Sequence, residues 1–193
     1  MSKASLLAAT IFLALGTSAN ASSLSNSALL PFTMKYEPCA HSGTETAQEA
    51  IRARCAAERQ GILRDAEKAI SAFHPADVVD ARNALISGMN ARDRYAAKLS
   101  ANGQQYPLAA VRYIECLSRS ALADPQFLAG KSLRGKPLAR LCRPTYEDAR
   151  NSIPRGAAGR IALSRIGILK AAFETLYVMP NSASDGEVFI PIQ

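Results

Sequence analysis

The side chains that could do chemistry by type are four cysteines, two histidines and a dense run of arginines and lysines. The cysteines are Cys39, Cys55, Cys116 and Cys142, and no two of them are spaced as C-x-x-C. An even number of cysteines in an exported chain implies a disulfide framework, and four allow three pairings. His41 has no second histidine at ligand spacing, and His74 stands alone before Pro75. Neither makes a metal site, and no cofactor motif is present. Ala129-Gly130-Lys131-Ser132 resembles the end of a P-loop, but Pro125 occupies the position of the first glycine. Nucleophilic catalysis has no G-x-S-x-G, no S-x-x-K and no free cysteine to work with. The acids open to acid–base work are Glu115, Glu147 and Asp148.

The basic residues are distributed unevenly. The full chain carries a formal charge of +7, and from Lys131 to Phe173 ten Lys or Arg face only Glu147 and Asp148. Lys131, Arg134, Lys136, Arg140 and Arg143 fall within 13 residues without an acid among them. This segment is the candidate anion-binding surface, which would attract polyanions by salt-sensitive electrostatics. Arg150, Arg155, Arg160, Arg165 and Lys170 follow at intervals of five. Five residues turn a helix by about 140°, so these cannot form one stripe. Few aromatics interleave with the basic residues, which argues against nucleic acid.

The compartment is set by the N-terminus. Lys3, the apolar run Leu6 to Leu15 and Ala19-Asn20-Ala21 have the order of a secretory signal peptide. Cleavage after Ala21 would leave Ser22–Gln193, 172 residues, enough for one domain with a core. The expected location is periplasmic or secreted, with no membrane span in the mature chain.

The elements that must position these residues carry helical periodicity. Ser22 to Met34 lacks a period and is expected to be a lead-in, continuing to about His41. Ser42-x-x-Glu45 and Thr46-x-x-Glu49 are both capping boxes in form. A helix begun at Gly43 would carry Cys55 about 18 Å along its axis, beyond the reach of about 14 Å from Cys39. Thr46 is therefore the expected N-cap. Ala47, Ile51, Cys55, Ile62, Ala66, Ala69 and Phe73 then share one face, which sets Cys55 against the core. A second helix runs from Pro75 to about Ala101 and stops at Asn102-Gly103. A third follows Pro107, with either Ile114 or Glu115 facing inward. Gln126–Lys136 has the composition of a loop, Pro137–Cys142 is a short helix, and Pro144 either kinks it or starts another that reaches Ser152. The last helix spans Pro154 to about Val178 and places Arg165 close to its apolar stripe. That arginine must snorkel, pair with a buried acid such as Glu115, or face a pocket or partner.

Order and helix geometry favour Cys39–Cys55 with Cys116–Cys142, each loop stabilising by about 3 kcal/mol in the chain-entropy model. Lys35-Tyr36-x-x-Cys39 and Arg112-Tyr113-x-x-Cys116 match, but the spacings to the next cysteine differ, 16 against 26 residues. A duplicated unit is left open. The expected fold is all-α: an antiparallel bundle of four to five helices stapled by two disulfides, spanning 42–178, with 179–193 as a tail. The expected function is a non-enzymatic binding module for an anionic envelope component, polymer or lipid headgroup. The rivals are a hydrolase or lyase on an envelope polymer and an inhibitor of another secreted protein.

Overall fold

The computed structural model describes residues 26–73, 75–124 and 138–175. The segment expected to be a signal peptide, His74, the expected loop with Lys131, Arg134 and Lys136, and the expected tail 179–193 lie outside these residues. Within them the regular structure is all helical: α1 Asn26–Lys35, α2 Glu37–Ala40, α3 Gln48–Arg54, α4 Ala56–Phe73, a 3-10 turn Pro75–Asp77, α5 Val78–Ala101, α6 Leu108–Leu122, α7 Leu138–Leu141, α8 Arg143–Ser152 and α9 Ala157–Thr175. None of these helices is long and apolar enough to cross a membrane. Both expected disulfides form, Cys39–Cys55 and Cys116–Cys142, with Cα–Cα distances of 5.9 and 5.8 Å.

The expected first helix is broken in two by its own bridge. Ala47 rather than Thr46 is the extended residue before Gln48, a shift of one position. The chain leaves helical geometry at Cys55 (φ −93°, ψ 15°) and resumes as α4. Cys55 is buried, as its place on the apolar stripe requires. The turn after α5 is completed by Gly103 at φ 63°, a conformation that a side chain would strain.

The expected lead-in is a helix from Asn26 onward. Leu29, Phe32 and Met34 in α1 are buried, and α1 packs chiefly on α6 and α5. A helix covered on several sides shows no amphipathic period, which is why composition alone did not announce it. Pro31 sits within α1, and its carbonyl accepts a hydrogen bond from Ser118 Oγ of α6 at 2.7 Å. Gly88 of α5 allows close approach to the same helix, since a Cβ there would lie 2.9 Å from Thr33 Cγ2.

The buried side chains form two cores. One gathers Leu29, Tyr36, Ile51, Ile62, Leu85 and Met89 from α1 to α5. The other gathers Tyr106, Tyr113, Leu117, Ala149, Ile166 and Leu169, chiefly from α6 to α9. Each holds the second cysteine of one bridge. The matching Tyr-x-x-Cys openings have matching surroundings. Tyr36 and Tyr113 are both wholly buried. Cys55 and Cys142 both stand at breaks between two helices. The residue four beyond each packs on the corresponding tyrosine: Arg59 lies 5.5 Å over the Tyr36 ring, and the Tyr146 ring is 5.2 Å from Tyr113.

Glycines inside the helices separate required from incidental ones. A Cβ at Gly159 would overlap the carbonyl oxygen of Pro154, whereas Gly61 and Gly167 have open space around them. Gly159→Ala is expected to destabilise by about 2 kcal/mol or more, while Gly61→Ala and Gly167→Ala each stabilise by about 0.5–1 kcal/mol. Urea unfolding of the three variants checks this; a Gly159→Ala protein as stable as wild type would contradict the packing described for the start of α9.

Candidate functional site

Between the two cores lies a buried ionic network centred on Glu37. Tyr36 and Glu37 adjoin at the α1–α2 junction, and Arg92 and Asp93 adjoin on α5. The two pairs engage crosswise. Tyr36 Oη donates to Asp93 Oδ1 at 2.6 Å, and Arg92 Nε donates to Glu37 Oε1 at 2.6 Å. From α4, Arg59 donates to Asp93 Oδ2 and to Asn90 Oδ1, each at 2.9 Å. Arg52 Nε lies farther from Asp93 Oδ2, at 3.7 Å.

Arg165 reaches across from α9. Its Nη1 donates to Glu37 Oε2 at 3.2 Å, and its Nη2 donates to Oε1. His41, one turn after Glu37, places Nε2 3.2 Å from Oε2. The imidazole stacks on Tyr106 with centroids 4.5 Å apart, and Tyr95 approaches it edge-on at 6.0 Å. The Arg165 guanidinium lies 5.8 Å over the Tyr106 ring.

Burial of this kind must be matched by charge or it is ruinous. Glu37 is 0% exposed. Desolvation pushes its carboxyl toward protonation, but Arg165, Arg92 and His41 outweigh that and hold it well below the usual carboxylate range. Desolvation lowers Arg92 despite Glu37. Arg165 is raised, because Glu37 and Tyr106 outweigh its own desolvation. Burial pushes the Tyr106 and Tyr36 hydroxyls up to about 12, with Asp93 adding to the effect on Tyr36. Burial also raises Tyr95. Glu37 is thus an ionised carboxylate whose oxygens are already engaged and closed to water. Such a group ties elements together; it is badly placed to take a proton from a substrate.

The residues singled out from sequence are dispersed around this centre. Arg165 pairs with a buried acid, but the acid is Glu37. Glu115 stands on the outer side of α6, paired with Arg119 at 2.7 Å, and Ile114 takes the inward position. Arg143 and Glu147 pair on the surface of α8, also at 2.7 Å, so one anion-binding candidate has its charge engaged. Arg140 is exposed on α7, and Asp148 is exposed on α8. Lys131, Arg134 and Lys136 lie outside the described residues. Among the described residues no group of His, Cys, Asp and Glu is arranged to hold a metal ion.

Glu37, Arg59, Arg92 and Asp93 escaped sequence reasoning. A signal was present: Arg92 and Asp93 lie three and four residues after inward-facing Met89, so both fall on or beside the buried stripe of α5. Comparison with protein-family models, curated proteins and solved structures returns no match for the chain.

Removing one partner from a buried ion cluster leaves uncompensated charge, so Glu37→Gln is expected to cost about 3–5 kcal/mol near neutral pH. Because folding depresses the Glu37 pKa, its stabilisation is complete above the ordinary value of 4.5 and is lost as pH falls below it. The stability gap between wild type and Glu37→Gln should therefore narrow as pH is lowered from 7 toward 3. Denaturant titrations across that range test the assignment, and a gap independent of pH would refute it.

Proposed function

We propose that the protein is an exported, non-enzymatic binding module whose partner is an anionic component of the cell envelope. The observation that carries this reading is the surface of α7, α8 and α9, three mutually packed helices. Arg140, Arg150, Arg155 and Arg160 are exposed on this part of the chain, with Glu147 and Asp148 as the acids beside them. Arg143 and Glu147 cancel one another, so the basic excess rests on the other arginines. The preceding segment, with Lys131, Arg134 and Lys136, adds three more cations in sequence. The Cys116–Cys142 bridge pins the end of that segment to α6. In this reading the longer helices form the antiparallel bundle of four to five members, a rigid support for a basic surface.

A hydrolase or lyase has less to support it. Glu115 and Glu147 are engaged in i,i+4 surface pairs, and they sit on different helices. The wholly buried Glu37 and Asp93 are both engaged by arginine.

Cosedimentation of the mature protein with vesicles of anionic or neutral phospholipid, and with a soluble anionic polymer, tests the proposal at low and high salt. Binding to the anionic species should weaken with salt. Reversing Lys131, Arg134, Lys136 and Arg140 together to glutamate should weaken it by several hundredfold or more, at about 1 kcal/mol for each of the four basic residues near a charged surface. Unchanged binding and unchanged salt dependence in that variant would sink the idea. Salt-resistant capture of one folded protein would favour an inhibitor instead.

A further inference from the structure

The two disulfides differ in what lies against their sulfurs. Arg54 is the last residue of α3, next to Cys55, and its guanidinium covers the first bridge. Nη1 lies 3.7 Å from Cys39 Sγ and 3.5 Å from Cys55 Sγ. The same nitrogen donates to the Cys39 carbonyl oxygen at 2.7 Å and to Ser42 Oγ at 2.6 Å. On its other edge Nε and Nη2 donate to the two oxygens of Glu45, at 2.5 and 3.2 Å. A bidentate carboxylate and two local acceptors thus hold one cation against both sulfurs. At the second bridge the described neighbour is a neutral hydroxyl, Ser120 Oγ, 3.6 Å from Cys142 Sγ.

A cation beside a sulfur stabilises the thiolate over the thiol. In thiol–disulfide exchange the sulfur that leaves best is the one with the more stable thiolate. Access also distinguishes the two ends, because Cys39 is half-buried and Cys55 is 1% exposed. We propose that Cys39–Cys55 is an exchangeable bridge, opened by a dithiol reductant that reaches the more accessible Cys39, and that Arg54 is the positioning residue that stabilises the thiolate leaving on Cys55. A thiolate of the dithiol attacks Cys39 Sγ and forms a new S–S bond there. The Cys39–Cys55 bond breaks, and its electron pair departs on Cys55 as a thiolate beside Arg54. The second thiolate of the reductant then attacks its own sulfur in the mixed disulfide and releases Cys39. The reductant ends as a disulfide, having lost two electrons, and the bridge ends as two cysteines that have gained them.

The placement gives this exchange a consequence. Cys39 lies in α2 between Glu37 and His41, the two residues that face Arg165 and Tyr106 across the junction of the cores. Opening the bridge frees α2 from the α3–α4 break while leaving the second core stapled.

The test uses the folded protein with dithiothreitol as probe, followed by acid quench, alkylation and peptide mapping, with circular dichroism reporting global unfolding. Cys39 and Cys55 should be alkylated before Cys116 and Cys142 and faster than the protein unfolds. Arg54→Gln should slow that opening by about fivefold, with Arg54→Lys retaining most of the rate. A variant that merely loosened the fold would open faster, so fold damage cannot imitate the expected result. Simultaneous opening of both bridges at the unfolding rate, prior opening of Cys116–Cys142, or an Arg54→Gln bridge that opens as fast as wild type or faster would each overturn the proposal.

Discussion

The constraint on which this fold depends is the placement of one carboxylate out of reach of water. Glu37 sits in a helix of only four residues, and its local partner His41 could not alone repay the cost of desolvating it. Two guanidiniums from distant parts of the sequence do so, Arg92 from α5 and Arg165 from α9. Because Arg92 adjoins Asp93 and Glu37 adjoins Tyr36, satisfying one acid aligns the other. The arrangement fixes how α2 meets α5 to within hydrogen-bonding tolerance, a precision that apolar packing alone would not impose. Desolvating the charges of such a cluster offsets much of their attraction, so its presence alone is weak evidence of net stability.

Around that centre the molecule repeats a local plan. A buried tyrosine, a cysteine three residues on and a partner cysteine at a helix break recur in both cores. The residue one turn past the break covers the tyrosine ring in each case, an arginine in one and a tyrosine in the other. That position is charged in the first unit and aromatic in the second. The ionic network belongs to the first unit, and the second contributes Arg165 and Tyr106 to it.

Much of the helical framework was legible, for physical reasons. Asn102-Gly103, Pro107 and Pro144 are backbone constraints that act locally, and they mark boundaries that the structure keeps. The disulfide pairing was favoured by the order of the cysteines and by helix geometry. What failed was whatever depended on long-range contact. The helix at Asn26–Lys35 carries no period because its burial comes from α6 and α5, neither of which is visible locally. Arg165 could be recognised as out of place on an apolar stripe, but its partner is 128 residues away. Glu115 suggested itself as that partner by lying near the inward face of α6, yet it sits beside Arg119 at the surface. Glu37 gave no sign, since an isolated acid beside a proline has the composition of a solvent-facing turn.

The span between Glu37 and Arg165 also orders events in time. A chain that emerges N-terminus first has Arg92 available to Glu37 as soon as α5 is made. Arg165 arrives only with the last described helix. Until then the acid lacks one of its two guanidiniums, and closing so long a loop must be repaid by contacts that do not yet exist. Docking of this last described helix therefore supplies the second guanidinium of the Glu37 network.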